Sequence, residues 1–166
     1  MKLSECQMCG LCKNRVHTSF SKGQKPASVF ILFGTEPSKE VHQLELLEFI
    51  RQLNYELKHD YYYSFAIKCY CPNIKFTVDQ VQKCNKWLLR EIELVNPYLI
   101  VSMGKIATIS LFGEKYLKFL TQNVFYIKDY FEKKRQIFIG ETITGDRNKL
   151  IANLNKLRSF IKEYYG

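Results

Sequence analysis

Two cysteines stand one tight turn apart near the start of the chain, in Cys6-Gln-Met-Cys9. C-x2-C is a chelating spacing because it lets two thiolates face a single centre. Cys69, at the end of a strand-like run, and Cys84, on a predicted helix, complete a possible set of four. Thiolates suit zinc and iron–sulfur clusters alike. Structural zinc sites often use two short knuckles, and here only the first pair is short, but spacing alone leaves the metal open. Cys84 also lies on the apolar face of its helix and could serve as a small buried hydrophobe. Cys12 and Cys71 are less constrained, and either could be a spare thiol. In a reducing compartment, six cysteines are better read as ligands or buried thiols than as disulfides.

The elements that would carry these residues follow from periodicity. With 166 residues the chain is expected to form one domain, 1–166, with an N-terminal metal-binding segment. Residues 4–15 suggest a short helix or knuckle, and 17–27 a polar loop. The run 28–33 is continuously apolar, as in a parallel strand covered on both faces. Gly34-Thr-Glu-Pro-Ser38 breaks it, and 39–57 reads as an amphipathic helix with Val41, Leu44, Leu47 (with Leu46), Ile50 and Leu53 as its stripe. A second strand is expected over 61–67. Thr77-Val-Asp-Gln80 has the form of a capping box, opening a helix whose apolar face holds Val78, Val81, Cys84, Leu88, Ile92 and Val95. Asn96-Pro97 ends that helix. A third strand covers 98–102 and a short helix 105–112. Weaker strands at 124–127 and 136–139 flank a charged stretch, and Asp146 is placed to cap a last helix with Leu150, Leu154, Leu157 and Ile161 inward. Strands alternating with helices predict an α/β fold with a mostly parallel sheet.

The formal charge of +9 comes from 25 Lys and Arg against 16 Asp and Glu. It fits a lysine-rich solvated surface or a polyanionic partner such as nucleic acid. No apolar run approaches the ~20 residues of a membrane span. The N-terminus lacks an apolar signal core, so an intracellular, cytoplasmic setting is expected, associated with the nucleoid if the protein binds DNA.

Cys6-x2-Cys9, then Ile67-Lys-Cys69, then Cys84 followed by Trp87-Leu-Leu, resembles the iron–sulfur (family 4) enzymes of the uracil-DNA glycosylase superfamily. Phe30-Ile-Leu-Phe-Gly34-Thr-Glu-Pro37 resembles their first motif, a buried strand running into a turn. Asn96-Pro97-Tyr-Leu-Ile-Val-Ser-Met-Gly104-Lys-Ile-Ala107 resembles their third strand and following helix. The likeness covers 6–113. It implies a three-layer sandwich around a central, mostly parallel four-stranded sheet, with a [4Fe–4S] cluster on Cys6, Cys9, Cys69 and Cys84. It also implies DNA as partner, with a flipped base held at the carboxyl ends of the strands.

The resemblance places Glu36 as the catalytic carboxylate, one position after the family's usual Glu, where Thr35 stands. Phe65 falls where the family sets a base-reading Asn, in the base pocket, and offers no hydrogen bond. The family's His before the last helix has no counterpart in Gly140-Glu-Thr-Ile-Thr-Gly-Asp146. Gly34, Pro37, Ser38, Lys39, Gly145 and Arg147 fall where the family grips the DNA backbone, and Lys105 with the basic face of the last helix could extend that surface. These departures lean toward reduced or altered catalysis. The resulting expectation is a divergent glycosylase removing uracil or another altered base in base excision repair. The alternatives are a non-catalytic DNA-binding or protein-recruiting module on the same scaffold, and a zinc-stabilised interaction domain.

Overall fold

Apolar strands without alternation must be covered on both faces, and two such strands form the centre of this molecule. The computed structural model describes residues 2–58, 60–122, 124–142 and 145–165, with the side chains of 56, 121, 122, 124–127, 164 and 165 outside that description. In chain order the strands are β1 (His17–Thr18), β2 (Lys22–Gly23), β3 (Val29–Phe33), β4 (Tyr61–Phe65), β5 (Cys69–Tyr70), β6 (Leu99–Met103), β7 (Val124–Tyr130) and β8 (Lys133–Gly140). The helices are α1 (Glu40–Leu57), α2 (Val78–Val95), α3 (Lys105–Phe112) and α4 (Arg147–Tyr165). Every residue of β3 and β6 is buried.

Six strands make one sheet in the order β2-β4-β3-β6-β8-β7, and β1 pairs separately with β5. The four central strands, β4, β3, β6 and β8, run parallel. β2 and β7 are antiparallel edges. The expected parallel four-stranded centre is thus present, widened to a mixed sheet by one strand on each side. Val29, Ile31 and Phe33 point to α1 and α4, and Phe30 and Leu32 point to α2 and α3. The result is a three-layer α/β/α sandwich. No helix of the described residues is long and apolar enough to cross a membrane.

Local chemistry sets the helix ends. The Thr77 hydroxyl accepts from the Gln80 backbone amide at 3.2 Å, and the Gln80 side chain accepts from the Thr77 amide at 3.0 Å, so the capping box forms as expected. Asn96 closes α2 in the left-handed region at φ 52°. Asp146 accepts from the amides of Asn148 and Lys149 at the start of α4.

Four expectations are corrected. In α1 the buried row is Leu46, Phe49, Ile50, Leu53 and Leu57, whereas Val41, Leu44 and Leu47 are exposed. At about 100° per residue, Leu44 falls nearly opposite the centre of the buried row, with Val41 and Leu47 on the flanks between. Residues 17–27 contain two short strands, invisible to local periodicity because their partners are distant, Tyr70 and Cys69 for β1 and Tyr63 and Tyr62 for β2. β4 ends at Phe65, after which the amides of Ala66 and Ile67 donate to Phe33 and Gly34 carbonyls at 2.8 and 3.0 Å. The charged stretch after 127 is the tip of a hairpin, turned by Phe131 and Glu132 at φ 52° and 61°. Two left-handed residues match the twist of a two-residue hairpin, although neither is a usual turn former.

Between the sheet and α2, Lys68 is 2% exposed and ion-paired with Glu91. Its ammonium also donates to the Ser64 hydroxyl at 2.7 Å, which in turn donates to Glu91 at 3.1 Å. Burial pushes the Lys68 ammonium below the usual lysine range, and Glu91 opposes that shift. Removing one partner would strand the other charge without water. Glu91→Ala is therefore expected to cost about 3–5 kcal/mol in urea unfolding. The double change Lys68→Met with Glu91→Leu is expected to recover most of the loss, and equal losses in both variants would contradict this account.

Candidate functional site

Parallel pairing brings the carboxyl ends of the central strands level, because Phe33 pairs with both Phe65 and Met103, and Met103 with Gly140. The loops that leave these ends open a cleft of about 390 Å³. Its walls include Gly34, Glu36, Pro37 and Ser38 after β3, His42 on α1 and Lys105 at the start of α3. Open α/β sheets place ligands at this end. A Cβ on Gly34 would lie 2.9 Å from the Ile106 Cβ, so the turn after β3 can sit against α3 only with glycine there.

Glu36 is 17% exposed and faces an imidazole. His17 Nε2 lies 3.1 and 3.2 Å from the two carboxylate oxygens. The ring is stacked between Tyr70, at 4.6 Å, and Phe20, at 5.2 Å. His17 begins the stretch 17–27 whose polar composition reads as a loop, so nothing local in the sequence marks it.

A second histidine, His42, lines the cleft itself. His42 Nδ1 is 2.9 Å from Glu45 Oε2, which also accepts the Gly145 amide at 3.0 Å. These two hydrogen bonds, His42 first, hold the Glu45 carboxyl below its usual range. An ionised carboxylate only accepts, so Nδ1 carries the proton and Nε2 is the remaining ring nitrogen. The loop before α4 has no histidine of its own, but Gly145 in that loop lies beside His42. A signal for His42 was present: it stands four residues before Leu46, on the inward row of α1.

The residues expected to grip a DNA backbone divide into two groups. Gly34, Pro37 and Ser38 line the cleft, and Lys105 joins them. Lys39 is exposed at the start of α1, where its carbonyl accepts from His42 and Gln43. The Gly145 amide is taken by Glu45. Arg147 lies in a separate groove between α1 and α4, beside Val41, Leu44 and Ile151. Phe65 is buried in the core with its ring 6.0 Å from that of Phe33. Phe33, not Phe65, is the ring of that pair on the cleft wall.

The four expected thiol ligands come to one region. Cys9, Cys69 and Cys84 share a buried apolar cluster with Leu11, Ile67 and Val81. Cys6 is buried as well, and its sulfur accepts from the Trp87 indole at 3.3 Å. The Arg15 guanidinium donates to the Cys69 sulfur at 3.6 Å and to the Ser4 and Cys6 carbonyls. Burial pushes the Cys84 thiol up to about 11, and the neighbouring Cys9, Cys69 and Cys6 sulfurs add to the shift. Burial likewise raises Cys69, against the pull of Arg15. All six cysteines are free thiols. Cys71 is buried in the same cluster, and its thiol donates to the Leu11 carbonyl at 3.6 Å. Among the described residues, no three His, Cys, Asp or Glu side chains form a group placed to hold a metal ion as they stand.

No family profile matches the chain. Several characterised proteins do. A type-4 uracil-DNA glycosylase of Archaeoglobus fulgidus is 25% identical over 132 residues, covering 72% of this chain and 65% of that protein. One of Saccharolobus solfataricus is 27% identical over 129 residues, covering 70% and 59%. One of Thermotoga maritima is 26% identical over 117 residues, covering 64% and 60%. The chain spans less than two thirds of the length of each of these relatives. At 25–27% identity over 64–72% of its length, the chain is distantly related to the type-4 uracil-DNA glycosylases.

Proposed function

We propose that this protein is a divergent DNA glycosylase that hydrolyses the N-glycosidic bond of uracil or another altered base, in base excision repair inside the cell. The observation that carries this reading is the meeting of Glu36 and His42 on one cleft at the carboxyl ends of the parallel strands. Its volume suits a single flipped nucleobase. Phe33 and Phe76 offer rings on its wall.

The chemistry requires charge stabilisation at two points. As the bond from C1′ to the base breaks, its electron pair leaves with the base and the sugar becomes oxocarbenium-like. The Glu36 carboxylate stabilises that positive charge and takes the proton from the water that adds to C1′. His42 carries its Nδ1 proton toward Glu45, so its Nε2, once protonated, can donate to the departing base. His42 thereby fills, from α1, the role for which the loop before α4 has no histidine. The backbone of the turn at Pro37 and Ser38, with Lys105 opposite, suits the flanking phosphates. Phe65 lies in the core, so the edge of the base must be read by other groups, which favours a target other than, or broader than, uracil.

Cys6, Cys9, Cys69 and Cys84 are the ligands of a [4Fe–4S] cluster in this reading. The donor set fits: four buried thiols, an apolar surround, and N–H donors from Trp87 and Arg15 to two of the sulfurs. When bound, the cluster supplies a covalent tie between the N-terminal segment, β5 and α2.

Oligonucleotides carrying uracil or other altered bases, incubated with the protein and treated with alkali, are expected to be cleaved at the altered base. Glu36→Ala and His42→Ala should each slow this by about 10²-fold or more. If no base is released at high protein excess, the non-catalytic DNA-binding reading replaces this one. Purified without air, the protein should be brown and contain iron and acid-labile sulfide; a colourless, zinc-loaded protein would refute the cluster. DNA binding should weaken as salt rises, and Lys105→Ala should lower the slope of log K against log salt by about 1. An unchanged slope would remove Lys105 from the interface.

A further inference from the structure

His17 reaches Glu36, a residue of the cleft wall, from the segment that carries the cysteines. That segment is pinned to β5 at several points. The Val16 amide donates to the Tyr70 carbonyl and the Ser19 amide to the Lys68 carbonyl, both at 2.9 Å. His17 pairs with Tyr70, and Thr18 with Cys69. Arg15 adds its bonds to Ser4, Cys6 and the Cys69 sulfur. The backbone pairing sets the height of His17, and the stacking on Tyr70 and Phe20 sets the plane of its ring. With both fixed, Nε2 meets both oxygens of Glu36.

We propose that His17 is a positioning residue for the Glu36 carboxylate, and that seating of the cysteine segment against β5 is what delivers it. The proposal builds on the reading of Glu36 as the catalytic carboxylate. Glu36 stands in a turn, where a free side chain would sample several rotamers. One donor shared between its two oxygens holds the carboxylate in place and leaves lone pairs to accept from a water in the cleft. The residue does not touch the substrate; it acts through Glu36. The cysteine segment then contributes to the reaction as well as to stability, since its dislodgement withdraws His17 from Glu36.

Two sets of measurements test this. In the first, His17→Ala should lower kcat for base release by about 10- to 100-fold with little change in KM. His17→Gln, whose amide can donate to the same oxygens, should recover most of the loss. In a Glu36→Ala background, His17→Ala should have no further effect. An unchanged or raised kcat in His17→Ala would overturn the proposal. The second set needs no turnover. Carbethoxylation of His17 by diethyl pyrocarbonate, followed by mass spectrometry with His42 as internal reference, should be slow in the intact holoprotein. It should accelerate severalfold in Glu36→Ala, in Arg15→Ala and in the Cys6→Ser/Cys9→Ser double variant. Arg15→Ala loosens the segment while leaving every cysteine in place, so it gives an answer even if the double variant fails to fold. Equal rates in wild type and Arg15→Ala would sink the delivery by the segment. If no altered base is released by the wild type, the glycosylase reading falls, and the modification rates alone decide whether His17 is delivered to Glu36.

Discussion

The pairing of His17 and Thr18 with Tyr70 and Cys69 spans only two residues on each side, yet three features of the molecule meet in it. It holds the first cysteine pair near Cys69. It sets the edge along which Arg15 crosses to the Cys69 sulfur. It also lifts an imidazole to the carboxylate at the end of β3. Neither short strand would persist alone, because two residues of ladder cannot offset the entropy of ordering them. Both are held from the sides: β5 by the turn that follows β4, and β1 by the buried cluster of Cys9, Leu11 and Val81 beneath the segment.

The cleft presents two histidine–carboxylate pairs of different kinds. In one, the carboxylate faces the cleft and the imidazole stands behind it. In the other, the imidazole faces the cleft and Glu45 stands behind. In the glycosylase reading proposed above, one pair would stabilise positive charge on the sugar and the other would meet negative charge on the departing base. The second pair also bridges α1 to the loop before α4, because Glu45 accepts from Gly145. Position along the chain is therefore a poor guide to role here: an inward turn of α1 reaches the place next to the loop that precedes α4.

Much of the scaffold was legible from residue types. The apolar runs of β3 and β6, the Thr77–Gln80 box and the Asn96-Pro97 stop are local signals with local causes, and each is found where it was expected. The α1 stripe was half right. Leu46, Ile50 and Leu53 lie inward, but Val41, Leu44 and Leu47 do not, and the inward row also carries His42, which the stripe does not include. Phe65 was expected inside a strand running to 67 and instead ends it, and period two puts it on the face of Tyr61 and Tyr63, which points into the core. His17 could not have been found this way. Its role depends on an antiparallel pairing across more than 50 residues and on a stacking partner, Tyr70, with no sequence mark of its own.

The sequence separations within the N-terminal clamp bear on how the chain assembles. The parallel strands are joined through helices whose ends lie close along the chain, so each strand–helix–strand unit closes a loop of moderate length. The clamp instead links Arg15 to a residue 54 positions away and Trp87 to one 81 positions away. Such contacts carry a larger loop-closure cost and are rewarded only after both partners are in place. The sheet with its two helical layers can therefore form first, with the amino-terminal segment docking last. Docking of that segment, which seats His17 against Glu36, is then the last step of assembly, so a chain can hold its folded core while the wall of its cleft is still incomplete.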